Sequence, residues 1–194
     1  VGRISTLAPP GTYIVELETG DQKSSQRLAV VKDPHSEGSI SDIVEQTEMV
    51  QDIQADMNSV ASFINRIEII RRQIYNLRTM TEDHDAADEI ASAVESLNEK
   101  LIDVESELYQ IKLTGTGQDR VRWPTKLAGR LNYLAGNVAV ADFPPNDQQR
   151  KVHQILKERL TSYERQFDEI LRDDLPTFDR LLRKHNLTGV ITGK

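Results

Sequence analysis

The sequence predicts a mainly α-helical protein that begins with a short β-hairpin. Apolar residues recur at helical spacing from about residue 41 onward, whereas between residues 11 and 31 they alternate with polar residues, a period typical of strands. Aromatic residues make up only 5% of the chain, which favours long helices over a β-sandwich. The predicted fold is an antiparallel helical bundle that contains a long two-helix coiled-coil hairpin and follows the β-hairpin.

Residues 1–34 are predicted to form the β-hairpin. The stretch ETGDQKSS between the two alternating runs has the composition of a turn, with Gly20 and Asp21 at its centre. Asp33 and Pro34 close the second strand, because proline restricts the backbone of the residue before it. The alternation gives the hairpin one apolar face, which consists of Tyr13, Val15, Leu17, Leu28 and Val30.

The start of the first strand is similar to the tyrosine corner of immunoglobulin-like sandwiches, because Gly11-x-Tyr13 precedes an alternating strand. On this interpretation the hairpin supplies the last two strands of such a sandwich. Two strands alone are marginally stable in water, so we expect the other strands to come from an upstream part of the same polypeptide or from a second copy. The chain starts at Val1 rather than Met, which also indicates part of a longer polypeptide. A linker at 35–40 separates the hairpin from the helices.

Residues 41–113 are predicted to form a long helical hairpin, because apolar residues recur every seven positions as in a coiled-coil seam. The two interleaved series are Ile43, Val50, Met57 and Ile64, and Ile53, Val60, Ile67 and Ile74. They predict a helix from about Ser41, its N-cap, to Thr79, and at ~1.5 Å per residue this helix is about 60 Å long. A second apolar series from Ile90 to Ile111 predicts its antiparallel partner.

Residues 114–194 are predicted to form a second helical hairpin that completes the bundle. TGTGQ is expected to end the second helix, and Pro124 suits the first turn of the third. Asn146 with Gln149 three positions later predicts the start of the fourth helix, and Pro176 predicts a kink or a restart within it. Because the first helix pair is longer than the second, its overhang is expected to be a two-helix coiled coil.

The charge is unevenly divided along the chain. The formal net charge is −7, which disfavours nonspecific binding to nucleic acid. Residues 41–113 contain sixteen acidic and six basic residues, a balance of −10, whereas residues 114–194 contain ten acidic and fourteen basic residues, a balance of +4. Opposite charges are expected to favour docking of the second helix pair on the first. No apolar run approaches the roughly 18 residues of a membrane span.

The residue types that carry chemistry form no recognisable catalytic or cofactor motif. Cysteine is absent, which excludes thiol nucleophiles, disulfides and thiolate metal ligands. The four histidines occur in neither HExxH nor Glu-x-x-His, and each is expected on the surface. The acidic stretch TEDHDAADE lacks the glycine and ligand spacing of a calcium loop. The sequence therefore predicts no catalytic residue, no metal and no cofactor.

The segment DRVRWP is the one basic and aromatic cluster, with Arg120, Arg122 and Trp123. Stacking on single-stranded nucleic acid would need more aromatic residues and a longer basic stripe. A large aromatic residue just before a helix more often anchors the end of a bundle. We therefore expect Trp123 to be mostly buried and structural.

Three short motifs follow one another along the chain. They are Asp33-Pro34-His35 at the end of the hairpin, the RWPTKL segment that begins Arg122-Trp123-Pro124, and the DFPPN segment that contains Asp142 and Pro145. In this order they resemble the C-terminal region of bacterial sortilin-like Asp-box β-propeller proteins, which are glycosyl-hydrolase-like. His35 departs from the arginine of the family's Asp-Pro-Arg element, Trp123 replaces the commoner tyrosine, and Asn146 replaces a threonine cap.

In that family a large propeller comes first, then an immunoglobulin-like segment, then a helical tail. The resemblance implies that this chain corresponds to the last part of a secreted or periplasmic protein whose propeller lies upstream. The chain contains no Ser-x-Asp-x-Gly-x-x-x-Trp box, so no sugar-binding or hydrolytic residue of the family transfers to it. The candidates for structural or interaction roles are Tyr13, Asp33, Pro34, Arg122, Trp123, Pro124, Asp142 and Pro145.

The sequence favours a non-catalytic C-terminal module for assembly or scaffolding in such a protein. Its expected partner is the upstream β-propeller and immunoglobulin-like part of the same polypeptide, or a second copy in a homo-oligomer. The alternative is an accessory domain of a propeller glycoside hydrolase whose active site lies outside this chain. A third interpretation is a free coiled-coil adaptor, which would have no propeller upstream.

Overall fold

The computed structural model describes residues 6–113 and 122–190, and within them the protein is mainly helical with a two-stranded hairpin at its N-terminal end. The predicted turn at TGTGQ and Arg120 lie outside these residues. The strands are β1 (Gly11–Thr19) and β2 (Gln22–Val30). The helices are α1 (Ile40–Met80), α2 (Ala87–Leu108), α3 (Leu127–Val138), α4 (Asp147–Glu169) and α5 (Leu175–Lys184), and a π-helical turn (Ile170–Asp174) joins the last two.

The register of the hairpin places the predicted apolar residues on one face. The strands pair antiparallel from Gly11 opposite Val30 to Thr19 opposite Gln22, so Tyr13 lies opposite Leu28. Gly20 has φ 58° at the first of the two loop residues, as a type II′ turn requires. The other face is mostly polar, and there the Lys23 amine lies 2.8 Å from a Glu16 carboxylate oxygen and 3.0 Å from one of Glu18.

The long helix α1 begins earlier than predicted. Its N-cap is Ser39 rather than Ser41, because Ser39 and Asp42 form a reciprocal capping box. The Ser39 hydroxyl accepts from the Asp42 N–H at 3.1 Å, and an Asp42 carboxylate oxygen accepts from the Ser39 N–H at 2.8 Å. Ser41, two residues on, is already inside the helix.

One of the two predicted seams of α1 shifts by one residue in the second half of the helix, whereas the other is buried as predicted through Ile74. Ile64, predicted on the seam, is only partly buried, and Arg71 stands where the next apolar residue of that series would be. Phe63 and Ile70, each one residue earlier, are buried instead. The shift lets the helix bury apolar side chains and keep the Arg71 guanidinium at the edge of the core.

The helices α2 and α3 lie one after the other along α1, and both run antiparallel to it. At one end the Arg78 guanidinium lies 3.5 Å from a Glu95 carboxylate oxygen, and at the other the Gln46 side-chain amide donates to the Val138 carbonyl at 2.9 Å. α4 contacts α1, α2 and α3, and α5 contacts α2. All these helices contribute to one apolar core.

The expected two-helix overhang is therefore not what the structure shows. α2, with 22 residues, spans about half of α1, with 41 residues. If α1 paired with α2 alone, the N-terminal half of α1 would extend beyond α2 without a partner. In the structure α3 and α4 cover that half. The heptad pattern of α1 runs along its whole length because α2 covers its C-terminal half and α3 covers its N-terminal half, with α4 beside both.

Pro176 changes the helix type without breaking the helix. Proline lacks an N–H and its ring clashes with the carbonyl four residues earlier, so a regular helix is strained there. The wider π-helical turn just before it relieves this clash. The Thr177 hydroxyl donates to the Asp173 carbonyl at 2.7 Å, and α5 continues to Lys184.

The connection between α2 and α3 differs from the prediction at both ends. α2 ends at Leu108, before Ile111, because Tyr109 has extended φ and ψ of −138° and 147°. The side chain of buried Gln110 then donates to the Pro124 carbonyl at 3.0 Å, which ties the two ends of the connection together. Pro124 consequently lies in this connection, and α3 begins at Leu127.

The linker between the hairpin and α1 makes a close backbone contact with the α3–α4 connection. Gly38, just before the cap of α1, is buried against the backbone of Asp142 in the α3–α4 connection. A Cβ atom at Gly38 would overlap the Asp142 carbonyl oxygen and carbon. Glycine is required here because the two chain segments approach too closely for any side chain.

We expect Gly38→Ala to lower the free energy of unfolding by about 1–3 kcal/mol, the usual cost of overpacking. Gly136→Ala is the matched control, because it lies in α3 with open space where a Cβ would be. It should raise stability by about 0.5–1 kcal/mol through helix propensity. Urea denaturation monitored by circular dichroism measures both, and equal effects of the two substitutions would contradict the contact.

Candidate interaction surface

The apolar face of the hairpin is uncovered within the described residues. Val15, Leu17 and Leu28 are exposed, whereas Tyr13 and Val30, nearer the base of the hairpin, are partly buried. Neither strand comes close to the backbone of a described helix, and only Val30 at the base of the hairpin lines a small cavity with residues of α1. The described hairpin residues are thus not packed wholly against this chain's own helices, which agrees with the prediction. A contiguous apolar face of this kind is typical of a surface that another segment covers.

Tyr13 makes a side-chain hydrogen bond back to the segment that enters β1. Its phenolic hydroxyl donates to the backbone carbonyl of Pro9, four residues earlier, at 2.6 Å. In immunoglobulin-like domains the corner tyrosine also bonds to the backbone a few residues upstream. The bond ties the entry segment to the base of β1.

Asp33 and Pro34 form a tight turn at the exit of the hairpin. The Asp33 side chain accepts from the His35 N–H at 2.8 Å, and its carbonyl accepts from the Ser36 N–H at 3.1 Å. The Lys32 amine donates to the Ser36 carbonyl across the turn. These hydrogen bonds are all made within residues 32–36, so we infer that this segment is an elbow, a turn of defined shape between the hairpin and α1, rather than a loose linker.

The Arg122-Trp123-Pro124 segment leads into α3. Trp123 is partly buried rather than fully enclosed, and Arg122 and Pro124 are exposed. The Lys112 amine lies 4.6 Å from the centroid of the Trp123 ring, within cation–π distance. The indole thus bridges the two sides of the α2–α3 connection.

Asp142 and Pro145 belong to the α3–α4 connection. The backbone of Asp142 is the surface that receives Gly38, and its side chain is partly exposed. Pro145 is buried, and its carbonyl accepts from the Arg150 guanidinium at 3.2 Å. Asn146 is the cap of α4 and forms the predicted capping box with Gln149. The three motifs therefore all lie in connections, and Asp142 of the third contacts Gly38, three residues after the first.

Ion pairs between the two halves of the chain follow the predicted charge division. Lys126 pairs with Glu107 at 2.6 Å, and Arg150 with Glu45 at 2.8 Å. Among the described residues the pairs that cross between residues 41–113 and 122–190 place the acid in the first segment in all but one case, which is Lys100 with Asp174. The neighbouring Lys126 amine lowers the pKa of Glu107.

A buried polar network joins α1 to α2. The Arg71 guanidinium pairs with the Glu105 carboxylate and donates to the Asn98 side-chain oxygen at 3.0 Å. The Asn98 amide in turn donates to the Tyr75 hydroxyl at 3.0 Å. Burial raises the pKa of Glu105, and the positive charge of Arg71 opposes this rise. The network fixes the register of the two helices, because a slip would leave these groups buried without partners.

His153 was not predicted to be inside, and it is buried between α4 and α1. Its Nε2 lies 2.7 Å from an Asp56 carboxylate oxygen, and the Lys157 amine lies 3.9 Å from the other oxygen. The expectation of a surface position is therefore wrong for His153. In the sequence Asp56 is a polar residue among the apolar residues of the α1 face. This interruption is the feature from which a buried polar partner could have been predicted.

The described part of the chain holds no cluster of three or more histidine or acidic side chains that could bind a metal ion. None of the described helices combines the length and apolarity needed to cross a membrane. No family model, curated protein or solved structure matches the chain.

We expect Arg71→Met to destabilise the protein by about 3 kcal/mol at neutral pH, because it leaves a buried carboxylate unpaired. Glu105→Leu should cost less, since the Arg71 side chain is 24% exposed and that of Glu105 only 6%. The double variant should be close to the parent protein, because replacing a buried pair by apolar residues is often neutral. Thermal denaturation measures all three.

The loss in Arg71→Met should also depend on pH. Without arginine the folded pKa of Glu105 rises further above the unfolded value of about 4.3, so the folded state binds the proton more tightly. Stability then falls as the pH rises from about 4 to 7, and the difference from the parent protein grows over that window. A constant difference from pH 4 to 7 would contradict the assigned cause.

Proposed function

We propose that this chain is a non-catalytic assembly module at the C-terminal end of a larger polypeptide. In this proposal β1 and β2 are the last two strands of an immunoglobulin-like sandwich whose other strands lie upstream. The helices are a rigid extension that the sandwich holds in a fixed orientation. Assembly through this module is the role that its surfaces support best.

The observation that carries the proposal is the contrast between the two parts of the chain. The helices bury a continuous apolar core of their own, whereas the hairpin leaves Leu17 66% exposed and buries almost nothing. A two-stranded sheet needs a further strand or a packing surface for stability. The part that lacks a partner is therefore the hairpin.

The tyrosine corner and the elbow support the same interpretation. The Tyr13–Pro9 bond is the feature that immunoglobulin-like domains use near the start of a late strand. The Asp33 turn and the Gly38–Asp142 contact connect that strand to α1 with little freedom. A rigid connection is useful where the position of the helices relative to the sandwich matters, as in an assembly.

The parent polypeptide is proposed to be a secreted propeller protein of the sortilin-like kind. This part of the proposal depends on the motifs containing Asp33, Trp123 and Asp142. Sequencing upstream of Val1 tests it directly, since repeated Asp-boxes are expected there. An upstream region without such repeats would overturn the assignment to that family and leave the incomplete sheet to be explained otherwise.

The assembly role is tested by mixing this chain with the separately purified polypeptide encoded upstream. We expect binding in isothermal titration calorimetry, and Leu17→Lys should weaken it at least tenfold by placing a charge in the apolar contact. Ile14→Lys is the matched control, because Ile14 is 68% exposed on the opposite face of the same strand.

Equal effects of Leu17→Lys and Ile14→Lys would contradict a contact through this face. A chain that forms a dimer in sedimentation experiments, and loses it in Leu17→Lys, would show that a second copy covers the face instead. That result would overturn the upstream-strand assignment.

A further inference from the structure

A groove between α3 and α4 is a second surface with a distinctive composition. It has a volume of about 870 Å³ and extends from the end of α2 to the first turns of α4. Its floor is apolar, formed by buried side chains such as Met57 and Leu156. Its walls carry exposed apolar side chains that the core does not use, and they are Tyr109, Tyr133, Val152 and Ile155.

The exposed apolar side chains follow helix geometry on both walls. Val152 and Ile155 are three residues apart on α4, and Arg159 continues the same side one turn later. On α3 the corresponding residue is Tyr133, which is 74% exposed and has Arg130 one turn before it. The exposed apolar side chains of α3 and α4 thus line a channel into which the helix of a partner can pack.

The groove is positively charged although the protein as a whole is negative. The lining residues include Lys126, Arg130 and Arg159 and no acidic residue, in a chain with a net charge of −7. Lys126 is neutralised by Glu107. Arg159 has no hydrogen bond or ion pair within the described part of the chain. The Arg130 guanidinium donates to the Thr125 carbonyl at 3.0 Å, and its charge helps to lower the pKa of Glu107 without a direct ion pair. Two guanidinium groups are thus available to a ligand.

We propose that this groove binds an amphipathic helix that presents an apolar stripe flanked by aspartate and glutamate residues. Tyr133, Val152 and Ile155 would contact the stripe, and Arg130 and Arg159 would pair with the acids. α3 has 12 residues, so about three turns of partner helix would cover it. This surface is separate from the hairpin face, and the proposal does not depend on the proposed function.

A second copy bound groove to groove is disfavoured, because it would bring the same unpaired guanidinium groups together. A carbohydrate fits the chemistry less well than a helix. Six amide side chains line the groove, and the side chains of four of them, Gln110, Asn137, Asn146 and Gln149, already bond to backbone atoms of the chain, which leaves Asn132 and Gln148 for sugar hydroxyl groups. The exposed Val152 and Ile155 offer nothing to sugar hydroxyl groups.

The test measures binding of a labelled synthetic 16-residue peptide by fluorescence anisotropy. One peptide carries leucines at helical spacing with glutamates beside them, and a second carries lysines in place of the glutamates. We expect the intact chain to bind the acidic peptide at least tenfold more tightly than the basic one. Arg130→Glu/Arg159→Glu should reverse this preference, and Val152→Ser/Ile155→Ser should weaken both peptides.

The matched control is Arg72→Glu/Arg165→Glu, which makes the same charge change at two exposed arginines outside the groove. It should change the affinity less than twofold, and circular dichroism confirms that each variant is folded. Equal binding of the two peptides, or equal effects of the groove and control variants, would overturn the proposal. Binding of an acidic polysaccharide such as polygalacturonate in place of the acidic peptide would overturn it as well.

Discussion

The long helix α1 is the element on which the rest of the helical structure depends. α2 packs on the C-terminal half of α1 and α3 on its N-terminal half, whereas α4 contacts both, at Asp56 and at Phe63. An uninterrupted helix of 41 residues has enough apolar surface for all of them. The other helices are shorter, and α3, with 12 residues, is of a length that is marginal in isolation. Packing on α1 therefore stabilises helices that would not form alone.

Polar groups decide how the helices align on α1, and the apolar core supplies most of the stability. The Arg71–Glu105–Asn98 network sets the register of α2, and the His153–Asp56 pair sets that of α4. Exposed pairs such as Arg150–Glu45 are individually weak, at about 0–1 kcal/mol. The two proposed binding surfaces also differ in their polar groups. The hairpin face is apolar, whereas the groove combines apolar with positively charged side chains.

The sequence predicted the parts of the fold that follow local rules. The hairpin, the extent of α1 and the Asn146 cap depend on periodicity and capping, which neighbouring residues determine. The placement of α3 beside the free half of α1 depends on which apolar faces meet, and a repeat of seven does not distinguish one partner helix from two. Buried His153 and the one-residue shift to Phe63 likewise depend on packing between distant segments. The groove was not predicted because its residues come from the end of α2, α3 and α4 together.

We infer that the hairpin is an incomplete sheet attached to helices that are stable by themselves. Native-state hydrogen exchange on the isolated chain tests it most directly, because protection reports local stability segment by segment. We expect amides of β1 and β2 to exchange at least a hundredfold faster than those in the middle of α1, around Ile67. Equal protection of the hairpin and α1 in the isolated chain would contradict it.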